Sequence, residues 1–290
     1  MYVFERIEGV WSEVQKIENP TNTNDSFGIA VAISGDTMVI GANESEGLKG
    51  TAYIYSRDIR GFWSLEQQIS ASDGATGDFF GNSVSINGET IVVGAYGSDR
   101  VRGAAYIYQK DTSGTWAETQ KLVASTQTLD AHFGWQCEIN GNLIVVSAPH
   151  AYASTQGEIF VFQEESGEWV ETQVLQGNDT AAEDFYGWSV SLYEDQIMVG
   201  APWEDEDETG GNPVDRAGSA YIFKNPTLKT SDFQIREGRL FCYPNPTNGV
   251  LTIGSAIKSI NNVKVLGVTG LLLNEYDRVN TMDFDLNLQH

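Results

Sequence analysis

The chain has 290 residues, with 17 Lys and Arg against 40 Asp and Glu, a formal net charge of −23 and a pI near 4.3. A field of that sign repels phosphate backbones and acidic lipid, which makes nucleic acid and anionic membranes poor partners and admits cations and neutral glycans. A hydrophobic share of 41% with 11% aromatics supplies a core, so the acidity does not signal disorder.

The chain opens on MYVFERIEGVW, which carries no basic stretch followed by an apolar one and so no signal peptide; no run of 18 apolar residues occurs anywhere. Tyr2 to Ile17 reads as two strands, the second half of a unit that recurs downstream, and the start is expected to be a cut within a longer array. The recurrence is strict. Phe27-Gly28, Phe80-Gly81, Phe133-Gly134 and Tyr186-Gly187 stand 53 residues apart. In phase with them run Gly41-Ala42, Gly94-Ala95, Ser147-Ala148 and Gly200-Ala201, then an aromatic strand at Tyr2, Tyr53, Tyr106, Phe160 and Tyr221. Last in each unit comes a tryptophan leading a glutamine: Trp11 and Gln15, Trp63 and Gln67, Trp116 and Gln120, Trp169 and Gln173.

Each unit reads as four short strands. The first alternates apolar and polar residues, so one face is buried; the second (TMVIGA, TIVVGA, LIVVSA, QIMVGA) is apolar throughout and is expected to be covered on both faces. Between them stand tight-turn residues. Four antiparallel strands in about fifty residues predict an all-β fold, a β-propeller of four-stranded blades. The expected organisation is a partial unit over 1–20, units over 21–72, 73–125, 126–178 and 179–229, and a small β-sandwich-like C-terminal domain over 230–290. The ring is expected to be incomplete. The recurring aromatic, glycine and tryptophan positions are read as blade packing and turns rather than ligand contacts.

The phased aromatic-Gly and Gly-Ala marks over roughly residues 1–224 resemble FG-GAP repeats, the repeats of integrin-type propellers and of many bacterial surface proteins. The resemblance implies a propeller and an extracellular setting. It does not extend to the family's DxDxDG calcium loop. The corresponding turns are Ser34-Gly35-Asp36, Asn87-Gly88-Glu89, Asn140-Gly141-Asn142 and Glu194-Asp195, too short to wrap a cation that takes six to eight oxygens.

After Lys229 the pattern changes. FCYPNPTNGVLTI, from Phe241 to Ile253, then NVKVLGVTGLLLNEY and a late Asp285-Leu286, resemble the type A C-terminal sorting domain of type IX secretion systems. That resemblance implies export to the outer surface or the medium, with the secretion machinery as partner.

Catalytic signatures are absent: no HExxH, GxSxG, P-loop or dinucleotide fingerprint occurs. The two cysteines, Cys137 and Cys242, build no disulfide framework, and Cys137 replaces a repeat valine and so reads as a buried thiol. Two places remain as candidates. His132 and His150, with Tyr152, stand at strand ends that meet, and are the expected ligand-binding rim; unconnected surface residues are the simpler account. An acidic insertion after Pro202 offers Asp205, Asp207, Thr209 and Asp215 as oxygen ligands, with Ca2+ as the cofactor they would take; a solvated acidic loop is the alternative. Asp25, Asp78 and Asp184, each two residues before an aromatic-Gly pair, are expected to cap turns. The function expected is a secreted or cell-surface binding or adhesion module, non-catalytic, contacting an extracellular glycan or protein. The alternatives are a propeller-type polysaccharide lyase or hydrolase, or a structural spacer.

Overall fold

The computed structural model describes residues 1–126, 128–149, 156–177, 179–194, 196–205 and 216–224, and beyond them the backbone of five strands. By its contacts the chain divides into two units, Met1–Pro226 and Thr227–His290. The first unit opens with a two-stranded sheet, β1 (Tyr2–Ile7) and β2 (Val10–Lys16). Three four-stranded antiparallel sheets follow: β3 (Val31–Ser34), β4 (Thr37–Ala42), β5 (Thr51–Arg57), β6 (Trp63–Ile69); β7 (Ser83–Asn87), β8 (Thr90–Ala95), β9 (Ala104–Lys110), β10 (Trp116–Leu122); and β11 (Cys137–Asn140), β12 (Leu143–Ala148), β13 (Glu158–Glu165), β14 (Glu168–Leu175). A three-stranded sheet closes the series, β15 (Ser189–Tyr193), β16 (Gln196–Ala201) and β17 (Ser219–Lys224). Strand order within each sheet is sequential, as in propeller blades. The second unit holds β18 (Leu240–Tyr243), β19 (Val250–Ser255), β20 (Ile260–Leu266), β21 (Leu272–Thr281) and β22 (Asp283–Asn287), paired as β18-β19-β22 and β20-β21.

The blades stack through their first strands, β3 on β7, β7 on β11 and β11 on β15. This explains why the second strands are apolar throughout. Val39 and Ile54 pack forward with Phe80, Val84 and Tyr106 of the next blade, whereas Ile40 and Tyr53 pack back against Ile17 and Val3. Both faces of a blade are therefore interior, and Val39, Ile40, Ile91, Val92, Ile144 and Val145 are fully buried. Each such side chain contributes about 1.5–3 kcal/mol by its burial. Cys137 sits in the same layer, a free and buried thiol whose pKa is pushed up first by desolvation and then by the neighbouring Glu138. Inner strands also bond directly: the Cys137 and Ile139 amides donate to Ser83 Oγ at 2.9 Å and Ser85 Oγ at 3.1 Å.

The tryptophan and glutamine marks turn out to be one device. Gln15 Nε2 donates to the Trp63 carbonyl at 2.7 Å and its Oε1 accepts from the Trp63 amide at 2.8 Å. Gln67 holds Trp116 in the same way at 2.7 and 2.9 Å, and Gln120 holds Trp169 at 2.7 and 2.8 Å. A bulge between the third and fourth strands leaves Val14, Glu66, Thr119 and Thr172 unpaired, each one residue before its glutamine. Such an extra residue bends the strand and re-aims the neighbouring side chain.

The glycines of the repeat serve two purposes, close contact between blades and tight turns within them. Gly103 has φ +88°, and a Cβ there would fall inside the Phe133 carbonyl of the following blade; the two residues form a parallel bridge. Gly141, in the hairpin between β11 and β12, has φ +59° with open space around it.

At the two ends of the stack the packing stops among the described residues. Val31 and Ile33 are 53% and 62% exposed, where their counterparts Val84 and Ile86 are each 7% exposed. At the other end Met198 and Ile222 are exposed, at positions where Val39 and Ile54 are buried.

Four substitutions test these contacts by urea unfolding. Gln67→Ala orphans the Trp116 amide and carbonyl and is expected to cost about 1–3 kcal/mol, while Gln173→Ala, exposed on the last complete blade, stays within about 0.5 kcal/mol of the parent. Gly141→Ala costs about 1–2 kcal/mol for its left-handed backbone alone. Gly103→Ala adds a backbone clash and exceeds about 3 kcal/mol.

Candidate functional site

Each unit after the partial one begins with a turn built the same way. Ser26, Phe79, His132 and Phe185 take left-handed conformations, with φ of 58°, 56°, 59° and 57°. The carbonyl of each accepts from the amide three residues on, at Ile29, Asn82, Trp135 and Trp188, over 2.9–3.2 Å. The ring between them, Phe80, Phe133 or Tyr186, plunges into the gap between blades and meets the third-strand aromatic edge-on, as Phe80 meets Tyr106 at 5.5 Å. The two residues flanking that plug are thereby left together at the loop edge of the blade. The expected caps are present: Asp25 Oδ1 accepts from the Phe27 amide at 3.2 Å, Asp78 Oδ2 from the Ala75 amide at 2.8 Å, and Asp184 Oδ2 from the Ala181 amide.

In the second to fourth units these edge positions are mostly aromatic, and they form a continuous row. Phe79 stacks on Tyr96 with ring centroids 4.9 Å apart and planes 5° apart. Tyr96 meets His132 at 5.6 Å and Trp135 at 5.1 Å. Trp135 lies 4.6 Å from Trp188, Trp188 5.4 Å from Phe185, and Phe185 4.3 Å from Trp203. The row crosses three blades. Its far end is open: Trp188 is 40% exposed and Trp203 42%, and the Arg216 guanidinium lies 4.4 Å over the Trp203 ring.

The structure places His132 at the loop edge but buried, its Nδ1 donating to the Asp130 carbonyl over 2.7 Å and its ring a link in the aromatic row. His150 and Tyr152 lie outside the described residues.

Asp205 is half-buried and is brought against two carboxylates that sequence reasoning did not join to it. One oxygen each of Asp184, Glu204 and Asp205 lies within 4.8 Å of the others, with Asp184 and Glu204 buried. Asp207, Thr209 and Asp215 lie outside the described residues. The niche has a counterpart two units earlier. There Tyr106 donates to Asp73 at 2.8 Å, and the Lys121 ammonium pairs with the same carboxylate at 2.6 Å beside Ser98. Burial pushes the Tyr106 pKa up to about 12. In the fourth unit Tyr221 takes the place of Tyr106, and its hydroxyl lies 2.8 Å from Asp179 and 2.9 Å from Glu204, which replaces Ser98. One hydroxyl hydrogen shared by two carboxylates leaves the niche rich in negative charge, and burial and both acids push the Tyr221 pKa up. Three carboxylates at this separation suit a hard, oxygen-seeking cation such as Ca2+, to which they would supply part of its shell. The signal in the sequence was the break in phase from Ser45 and Ser98 to Glu204.

A family model described as "FG-GAP repeat" matches the chain four times, over residues 11–55, 63–108, 116–162 and 169–223. Each match starts at the tryptophan of a fourth strand and runs into the third strand of the next blade, so the glutamine contact joins one match to the next. No curated protein matches the chain. Among solved structures it is similar to the "WD40 beta propeller domain of Doa1", at 14% identity and a TM-score of 0.41, over 90% of this chain and 72% of that one. A likeness at that level does not reach to a ligand or an activity.

The carboxylate niche makes a direct prediction. Asp205→Asn removes one of three like charges, and in chelator its unfolding temperature is expected to rise by a few degrees, about 0.5–1 kcal/mol. In millimolar CaCl2 the parent gains stability and Asp205→Asn gains less; equal gains would show that calcium acts elsewhere on the chain.

Proposed function

We propose, for a chain that belongs to the FG-GAP repeat family, the role of a secreted or cell-surface binding module that holds an extracellular glycan or protein on the loop edge of its blades without transforming it. One observation carries the reading: the aromatic row from Phe79 to Trp203, which ends in two exposed indoles. Blade packing does not require large aromatics there, since the first unit places Ser26 and Ile29 at the same two positions. Exposed aromatics on a rigid scaffold give contact area at low entropic cost, which is what recognition surfaces use.

The chemistry of the edge favours binding over catalysis. The His132 ring is buried, with Nδ1 donating to the Asp130 carbonyl and its face against Tyr96, so it packs inside the row rather than at its open end. A propeller-type lyase or hydrolase is the competing reading. The resemblance of residues 241–253 to a type A sorting domain supports export through a type IX system to the outer surface or the medium. The carboxylate niche beside Trp203 supports a second ligand, a divalent cation ordering that end of the edge.

The test is retention of labelled chain on surfaces coated with polysaccharides or extracellular-matrix proteins. Retention on at least one coating is expected, lost in the Trp188→Ala, Trp203→Ala double variant, with no soluble fragment released from the coating. Release of fragments over many turnovers would make the chain an enzyme, and failure to be retained on any coating would overturn the binding role.

A further inference from the structure

We infer that the open end of the aromatic row is a stacking surface for a neutral glycan chain built of equatorially substituted pyranoses, lying across the third and fourth blades over Trp135, Trp188 and Trp203. The inference rests on the binding role proposed above and names its ligand.

A purely apolar ligand would need a continuous apolar patch, but acids stand close in the chain to these rings: exposed Glu183 two residues before Phe185, and half-buried Asp205 two residues after Trp203. A ligand for such a strip needs an apolar face and a rim of hydrogen-bond donors. A pyranose whose hydroxyls are all equatorial has that shape, with C–H groups on both faces of the ring and hydroxyls around its edge. Its hydroxyls can donate to carboxylates and accept from indole N–H groups.

Charge separates the remaining classes. The net charge of −23, with three carboxylates gathered near Trp203, repels uronate-rich or sulfated chains. A basic peptide is drawn by the same field, yet the position it would take on Trp203 is already filled. The Arg216 guanidinium lies 4.4 Å over that ring, and a second cation would meet its charge. Trp188 carries no such cover among the described residues: its ring meets Trp135 and Phe185, on the protein side, and 40% of the residue stays exposed. Neutral stacking is what this geometry leaves available. The tilt of 43° between Trp135 and Trp188 turns successive platforms, which fits a twisting oligosaccharide better than a flat aromatic ligand.

The experiment uses the full chain with cellohexaose and chitohexaose as neutral probes, polygalacturonate as a polyanion and octa-arginine as a cationic peptide, read by tryptophan fluorescence and by calorimetry. At least one neutral hexasaccharide is expected to bind with a shift in tryptophan emission. Trp188→Ala is expected to weaken that binding by about tenfold or more. Trp188→Phe, which keeps a ring and guards against a folding artefact, should retain most of it, and Trp11→Ala, an exposed indole on β2 away from the row, should bind as the parent does. Polygalacturonate should not compete. Failure of both neutral probes at millimolar concentration overturns the inference, as does a loss in Trp11→Ala equal to that in Trp188→Ala. Octa-arginine binding that Trp188→Ala abolishes would, with silent hexasaccharides, keep the binding role and move the ligand to cations. Silence of every probe, together with no retention on coated surfaces, would remove the role itself.

Discussion

A four-stranded blade exposes two apolar faces, and the whole of the first unit depends on how one blade is fixed on the next. The glutamine clasp does this with one side chain. By bonding both the amide and the carbonyl of the following tryptophan, Gln15, Gln67 and Gln120 set the spacing and rotation of successive blades at their outer strands. Ser83 and Ser85 do the same at the inner strands. Between these two lines of bonds the aromatic plugs Phe80, Phe133 and Tyr186 are driven under the third strand of their own blade. Hydrophobic burial supplies most of the stabilisation, but it is not directional. The clasps supply direction, since a blade rotated by a few degrees would leave two backbone groups of a buried tryptophan unpaired.

The fold was legible because the repeat states the same constraint several times. A Gly-Ala pair at the end of each second strand is ambiguous once; in phase with a plug and a tryptophan it marks a blade. The strands, their hairpins and the buried state of Cys137 could all be read in this way. The clasp itself could not. Trp and Gln recur in register, but their partnership runs from the glutamine of one unit to the tryptophan of the next, a pairing over 49 residues that only the stacked blades reveal.

The site was less legible for the complementary reason. Its residues are the ones that do not repeat. Ser26, Phe79, His132 and Phe185 occupy one phase, and Ile29, Asn82, Trp135 and Trp188 another. Along the chain these look like drift at surface positions. Across the stack they align into a row, because the turn brings the two phases together and the blade spacing brings neighbouring turns into ring contact. His132 stands out in the sequence for its chemistry, and the fold sets its ring against Tyr96 and Trp135. Asp205 falls with Asp207, Thr209 and Asp215 by proximity in sequence, whereas the folded chain joins it to Asp184 and Glu204.

The division between repeating and non-repeating positions also bears on how such a surface is built. A substitution at a clasp or plug position is constrained from two sides, by its own blade and by the next. An edge position such as Trp188 is constrained from one side, and its other side is open to a ligand. The first unit shows the bare scaffold, with Asn43 in the phase of Tyr96, and its Nδ2 donates to Asn82 Oδ1 at 3.1 Å in a purely polar link to the second. From the second unit onward rings replace such links without disturbing the turn beneath, since the left-handed φ changes by only a few degrees between Ser26 and Phe185. The turn therefore tolerates any side chain whose backbone accepts that conformation. A bulky residue there costs about 1–2 kcal/mol, and that strain is spread over blades whose clasps and plugs hold it in place. The aromatic row is written on positions that the fold leaves free, and the rigidity of those positions comes from the clasp and plug residues buried between the blades.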